Sequence, residues 1–183
     1  MKKLYICIIL LFFQSVHFIG ASEIIEDFES LHNWRVKPEG MVLQSETVKE
    51  GAFAAEFSLF HGNIASRTGV HEDWSQYDAL VLWMYNEEPN AGVFGISLTT
   101  LHDDDSSWNY FLYMVKADWQ GWKQFVISKE QFRKVRNPDW SKIHVLKFSL
   151  EWDGSSISSP EHHVVIDDVR IMTQEEVDLL PVE

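Results

Sequence analysis

The sequence predicts an all-β domain of the sandwich or barrel class, set behind a cleavable export leader. Short runs of β-branched and aromatic residues recur at roughly ten- to fifteen-residue intervals, separated by clusters of Gly, Pro, Asn, Asp and Ser. Two of these runs alternate with a period of two, the spacing that puts one face of a strand into a core. The chain opens on Met1-Lys2-Lys3, a nearly unbroken apolar run follows, and small residues appear at Gly20-Ala21-Ser22. That order of charge, apolar run and small residues is the pattern of a secretory signal peptide.

Residues 1–21 are therefore assigned to the leader and 22–183 to one β-sandwich domain. The apolar run is interrupted by Gln14 and His17 and ends in a signal-peptidase-like site, so no membrane insertion is expected. The single cysteine, Cys7, falls inside the leader. The mature chain then has no thiol for a disulfide, a metal or a nucleophile, and a secreted or periplasmic location follows. A domain of this length can bury a sizeable core without cross-links.

Strands are predicted in order at 24–28, 41–47, 52–59, 66–70, 78–86, 92–101, 108–116, 122–128, 143–152 and 163–172. Residues 128–132 and the tail from Thr173 read as short helices. In 78–86, Leu80, Leu82 and Met84 fall on one face and Val81, Trp83 and Tyr85 on the other. In 143–152, Leu146, Phe148 and Leu150 oppose Lys147, Ser149 and Glu151. The sequence contains no internal repeat and no low-complexity linker, so a second domain is not expected.

The leader removes two of the 15 basic residues, leaving 13 against 28 acidic ones, a formal charge of −15. Such a surface repels nucleic acid and anionic membranes, and it disfavours strongly anionic polysaccharides unless a local basic patch overrides it. Eight Trp, five Tyr and twelve Phe are many for a chain of this size; some serve the core, and the excess of Trp points to a stacking function.

The order of motifs resembles the galactose-binding-like jelly-roll modules, and family 11 carbohydrate-binding modules in particular. Ile25-Glu26-Asp27-Phe28-Glu29 with Asn33-Trp34 matches the opening, and Lys49-Glu50-Gly51 a tight turn. Asp73-Trp74-Ser75 with Tyr77, Trp122-Lys123, Phe132-Arg133, Trp140-Ser141-Lys142-Ile143 and Val165-Ile166-Asp167-Asp168-Val169 follow in the family's order. The resemblance spans nearly the whole mature chain. It implies a jelly-roll β-sandwich of two antiparallel sheets and non-catalytic binding of a polysaccharide or oligosaccharide on its concave face, beside a carbohydrate-active enzyme. A similar architecture serves accessory domains of agarases and β-galactosidases, so fold alone does not fix the ligand.

The resemblance also implies a structural calcium joining the first strand, the turn before the third strand and the last strand. Residue by residue this points to Asp27, Glu29, Glu50 and Asp167, whose carboxylates are the hard oxygen donors that calcium selects. Asp103-Asp104-Asp105 is a denser acidic run, but consecutive loop side chains diverge, which fits a solvated loop.

A sugar ring offers an apolar C–H face framed by hydroxyls, so its site needs flat rings and a few polar side chains. Trp83, Tyr85, Tyr110 and Tyr113 are the candidate rings; each is also a candidate for the core. Arg133, Arg136, Asn137 and Glu151 are the candidate polar contacts. The stretch Phe132-Arg133-Lys134-Val135-Arg136-Asn137-Pro138 keeps the family's bases but lacks its acid and its Tyr. For catalysis, no paired-acid strand motif and no nucleophile elbow is present. The alternatives to carbohydrate binding are a small polysaccharide lyase or hydrolase and an envelope protein-interaction domain.

Overall fold

The structure, a computed structural model, describes residues 22–37, 40–60, 62–70, 73–89, 92–100, 109–150 and 162–181. The leader at 1–21 and Glu151 lie outside the described residues. Twelve strands run in chain order through these: β1 (Glu23–Glu26), β2 (Trp34–Lys37), β3 (Met41–Gln44), β4 (Ala54–Ser58), β5 (Ile64–Thr68), β6 (Ala79–Asn86), β7 (Val93–Thr100), β8 (Asn109–Lys116), β9 (Gly121–Ser128), β10 (Arg133–Val135), β11 (Ile143–Ser149) and β12 (His163–Met172). The first sheet has the order β3-β4-β12-β6-β9, with β1 also on β12, and the second β10-β8-β7-β11-β5-β2. Every pairing is antiparallel, giving a jelly-roll sandwich.

Both alternating segments face as the period predicts. Leu80, Leu82 and Met84 of β6, with Leu146 and Phe148 of β11 and the following Leu150, are buried in one core between the sheets. A one-residue slip in either strand would move that whole set to the opposite face, which fixes the register. In β12 the inward positions are Val164 and Ile166, then Val169 and Ile171. The change of parity is made by an irregularity in the pairing with β6 between Asp167 and Arg170, where Asp168 has a φ of 48°. This bulge lets one strand bury apolar residues on both sides of the kink.

Aromatic rings fill the centre. Trp34 lies between Phe28 and Phe148 at 5.6 and 5.8 Å, and Phe57 meets Phe94 at 5.9 Å. Beneath Trp34, buried Glu26 accepts from its indole Nε1 at 2.9 Å, from the Phe28 amide at 3.0 Å and from Arg67 Nε. Glu26 belongs to the first sheet, while Trp34 and Arg67 belong to the second. The carboxylate therefore ties the layers together at a polar point inside the core.

Residues 129–131 form a 3-10 turn rather than the α-helix expected at 128–132. The tail forms one turn, α1 (Gln174–Val177), closed by a capping box between Thr173 and Glu176. Val177 and Leu180 pack on Ala79, Val81 and Met172, covering one end of the first sheet's outer face. Two strands, β2 and β10, were not expected. They are short, charged, and lie at the two edges of the second sheet.

A candidate carbohydrate-binding face

Side chains of directly paired antiparallel residues share a face, so the register maps the outer surface of the second sheet. One row crosses all six strands: Arg35, Ser66, Lys147, Ser97, Leu112 and Arg133. A second holds Thr68, Val145, Thr99, Tyr110 and Val135, and a third Lys37, Ile64, Ser149, Gly95 and Met114. Most of these positions line a cleft of about 530 Å³, among them Arg35, Lys37, Ser66, Thr68, Ser97, Thr99, Tyr110 and Lys147. The cleft thus offers hydroxyls, cations and one phenol ring.

Ser97 is 1% exposed, and its Oγ has no hydrogen-bond partner among the described residues. An unpaired buried hydroxyl costs about 1–3 kcal/mol in protein settings, a cost that the floor of this cleft carries.

The structure separates the candidate residues. Tyr110 is half-buried and lines this cleft. Tyr113, three residues on in the same strand, points the other way, packs on the core and meets the Phe132 ring at 5.9 Å. It is therefore a core residue, because an odd offset along a strand reverses the face. Arg133 belongs to the outer row, at the β10 edge. Arg136 and Asn137 follow β10 in a turn where Arg136 has a φ of 63°, and the Asn137 amide donates to Asn109 Oδ1 at 3.0 Å. Both are exposed, beside the cleft wall rather than among its lining residues. Trp140 stacks on Phe111 at 3.6 Å and anchors its loop.

Trp83 and Tyr85 lie on the outer face of the other sheet, so they cannot act together with Tyr110. Trp83 points away from the core as predicted, but it is only 9% exposed, because Lys49 Nζ lies 3.5 Å from its ring centroid. The turn carrying Lys49 is pinned there by Asp167, whose carboxylate accepts from the Lys49 and Glu50 amides at 2.8 and 3.0 Å. Trp83 is thus a covered packing residue and not an open stacking platform. Tyr85 pairs with Trp122 across β6 and β9, rings 5.6 Å apart, and borders a second cleft of about 630 Å³ walled by Glu46, Glu56, Glu87 and Glu88 with His162 and His163. His163 Nδ1 is 3.4 Å from Glu56 Oε1.

The acids assigned to calcium do gather at one corner. Glu29 Oε1 accepts from the Ala52 and Phe53 amides at 2.8 and 3.3 Å, and Asp27 Oδ1 from the Glu29 amide at 3.1 Å. Gly51 lies against Glu29 with a φ of 71°, where a Cβ would sit 2.1 Å from Glu29 Oε1. Asp167 is fully buried and takes a third amide, from Asp168 at 2.8 Å. Burial holds its carboxyl above the ordinary value, while the Glu50, Lys49 and Asp168 amides pull it down. Both oxygens of Asp167 and Oε1 of Glu29 are thus engaged by N–H groups, and Glu50 is exposed. Among the described residues no group of three or more His, Cys, Asp or Glu is arranged to hold a metal.

With this geometry in hand, the likeness to solved structures can be placed. The chain is similar to a family 11 carbohydrate-binding module from Clostridium thermocellum in complex with a β-1,3-1,4-mixed-linked tetrasaccharide, with a TM-score of 0.61 and 15% identity over 83% of this chain and 95% of that one. It is similar to a family 30 carbohydrate-binding module of a Clostridium thermocellum cellulosomal cellulase, with a TM-score of 0.54 and 15% identity over 86% and 92%. An agarase matches with a TM-score of 0.55 and 9% identity over 84% of this chain and 24% of that one. The fold is that of these modules. No protein-family model and no curated protein matches the chain.

Proposed function

We propose that this protein binds a polysaccharide or oligosaccharide, without catalysis, on the outer face of its second sheet. The observation that carries this reading is the open six-stranded face itself, where Tyr110, three hydroxyl side chains and long cations line one cleft over the buried Ser97. Tyr110 stacks on a sugar ring, while Ser66, Thr68 and Thr99 read its hydroxyls. The fold's likeness to modules that carry saccharides supports the reading, and so does the other sheet's outer face, which is partly closed by α1 and Lys49. The leader-like opening of the chain supports export to where polysaccharides occur, beside an enzyme that acts on the same chain.

Affinity electrophoresis over a polysaccharide panel, run with reducing-end and unsaturated-product assays, tests this function. Tyr110→Ala should weaken retardation by roughly 1–3 kcal/mol, the scale of one aromatic stacking contact, with melting little changed. Product formation would mean an enzyme, and absence of both retardation and product would leave a protein-interaction domain.

Calcium at the acidic corner is a second, separable part of the proposal. Carboxylates of Asp27, Glu29, Glu50 and Asp167 from three chain segments support it; the amides already bound to Glu29 and Asp167 count against it. A saturated site adds about 2.7 kcal/mol at a hundredfold excess over Kd, a shift of several degrees in melting. Unchanged melting in EDTA, with no calcium by elemental analysis, removes the ion from the account.

A further inference from the structure

The acidic residues of this chain are sorted between its two sheets. No strand of the second sheet, β2, β5, β7, β8, β10 or β11, contains a single Asp or Glu. The strand acids Glu23, Glu26, Glu56, Asp167 and Asp168 all belong to the first sheet. On the outer face of the second sheet, Arg35, Lys37, Lys147 and Arg133 stand at registered positions around the cleft. Among the described strand residues, the sign of this sheet is thus opposite to that of the chain, which has 28 acidic and 15 basic residues. At physiological salt the screening length is about 8 Å, so a ligand on this face responds to these side chains more than to the net charge of the whole.

We propose that the ligand of this face is an anionic polysaccharide, a sugar chain that carries carboxylate or sulfate groups, rather than a neutral glucan. This rests on the carbohydrate reading above and narrows it. Neighbouring strands are about 4.8 Å apart, so Arg35 and Lys147 are about 10 Å apart across the sheet and Lys147 and Arg133 about 14 Å. A chain laid across the strands meets a cation at every second or third strand, with serine and threonine hydroxyls between. Ser97 lies between Lys147 and Leu112 in the same row as part of the buried floor, so the contacts to the ligand come from the side chains around it. Arginine and lysine here act as charge-assisted donors, which reward an anionic oxygen more than a neutral hydroxyl.

The test measures binding of polygalacturonate, of a sulfated galactan and of neutral β-1,3-1,4-glucan across a salt series, with the intact protein and with R35Q/K147Q. At least one anionic polymer should bind more tightly than the neutral glucan at low salt and weaken steeply as salt rises. The double variant should lose that affinity by roughly tenfold or more, since each charge-assisted contact is worth on the order of a factor of ten, while melting as the parent does. The uronate and sulfate arms tell the two anionic chemistries apart. Tight, salt-insensitive binding of neutral glucan that the variant retains overturns the anionic assignment and leaves the carbohydrate reading standing. Anionic binding that survives R35Q/K147Q overturns the assignment to this face. Failure to bind any of the three polymers overturns both readings.

Discussion

Glu26 gives the sharpest test of how the two sheets are held together. Its side chain is 7% exposed, and it accepts from Arg67, whose side chain is 14% exposed, from the Trp34 indole and from the Phe28 amide. Glu26→Ala leaves the Arg67 cation without its carboxylate inside the sandwich, where Arg67 Nη1 already has no hydrogen-bond partner among the described residues. Breaking such a buried pair by removing one partner costs about 3–5 kcal/mol, and an orphaned indole N–H adds about 1–3 kcal/mol. The groups share one network, so the losses overlap, and a net cost of about 4 kcal/mol is expected. In a domain of this size that lowers Tm by about 8–16 °C. Thermal unfolding of E26A, R67M and E26A/R67M forms the double-mutant cycle. The double variant should be more stable than the sum of the single losses predicts, because removing both charges leaves no unpaired ion. A drop below about 3 °C for E26A, or losses additive to within about 0.5 kcal/mol, would refute the idea that this tie carries interlayer stability.

Two further outcomes follow from the first sheet. Trp83→Ala should cost about 3–5 kcal/mol of stability, as truncation of a buried large aromatic does, while protein that remains folded binds polysaccharide as the parent does; unchanged melting with lost binding would return Trp83 to the ligand site. Burial raises the Asp167 carboxyl above its ordinary value of 3.8. The folded state then holds that proton more tightly than the unfolded chain. The stability it brings is full below the unfolded value and is lost as pH rises through the folded one. Asp167→Asn removes this titration, so melting should fall less steeply with rising pH in the variant than in the parent, and equal slopes would reject the assignment.

Much of this architecture is legible without coordinates, for a specific reason. Strands β6 and β11 each set an aliphatic row apart from the opposite face, and their alternation places Leu80, Leu82, Met84, Leu146 and Phe148 in the core, although the other face of β6 is also apolar and covered at Ala79 and Val81. The weaker part is the functional surface. Periodicity assigns Trp83 to the outward side correctly, yet it cannot report that a turn some 34 residues earlier folds Lys49 over the ring, because that contact depends on Asp167 capturing the turn's amides. Likewise Tyr110 and Tyr113 are each a candidate for the site and for the core until register assigns them to opposite faces. The signal for separating them is parity against Phe111 and Val115, which enter the core, and it is blurred by Leu112, which is buried on the opposite parity.

The two strands that pattern reading misses bring cations to the proposed site, and one physical cause accounts for both facts. An edge strand offers unpaired N–H and C=O groups to any passing chain, and proteins blunt it by keeping it short and charged. Trp-Arg-Val-Lys in β2 and Arg-Lys-Val in β10 follow that rule, and their few apolar residues leave too short an alternation to be recognised as strands. Yet once the sheet forms, Arg35 and Lys37 of β2 and Arg133 of β10 stand at the two rims of its outer face, with Lys147 between them on β11, while Lys134 pairs with Phe111 on the other parity. Edge protection favours lysine in particular, so it accounts for the charges of β2 and β10 and for part of their sign. It does not reach Lys147, which carries the same sign at an interior position of the sheet, and a ligand of opposite charge across the face accounts for the edge and interior cations together.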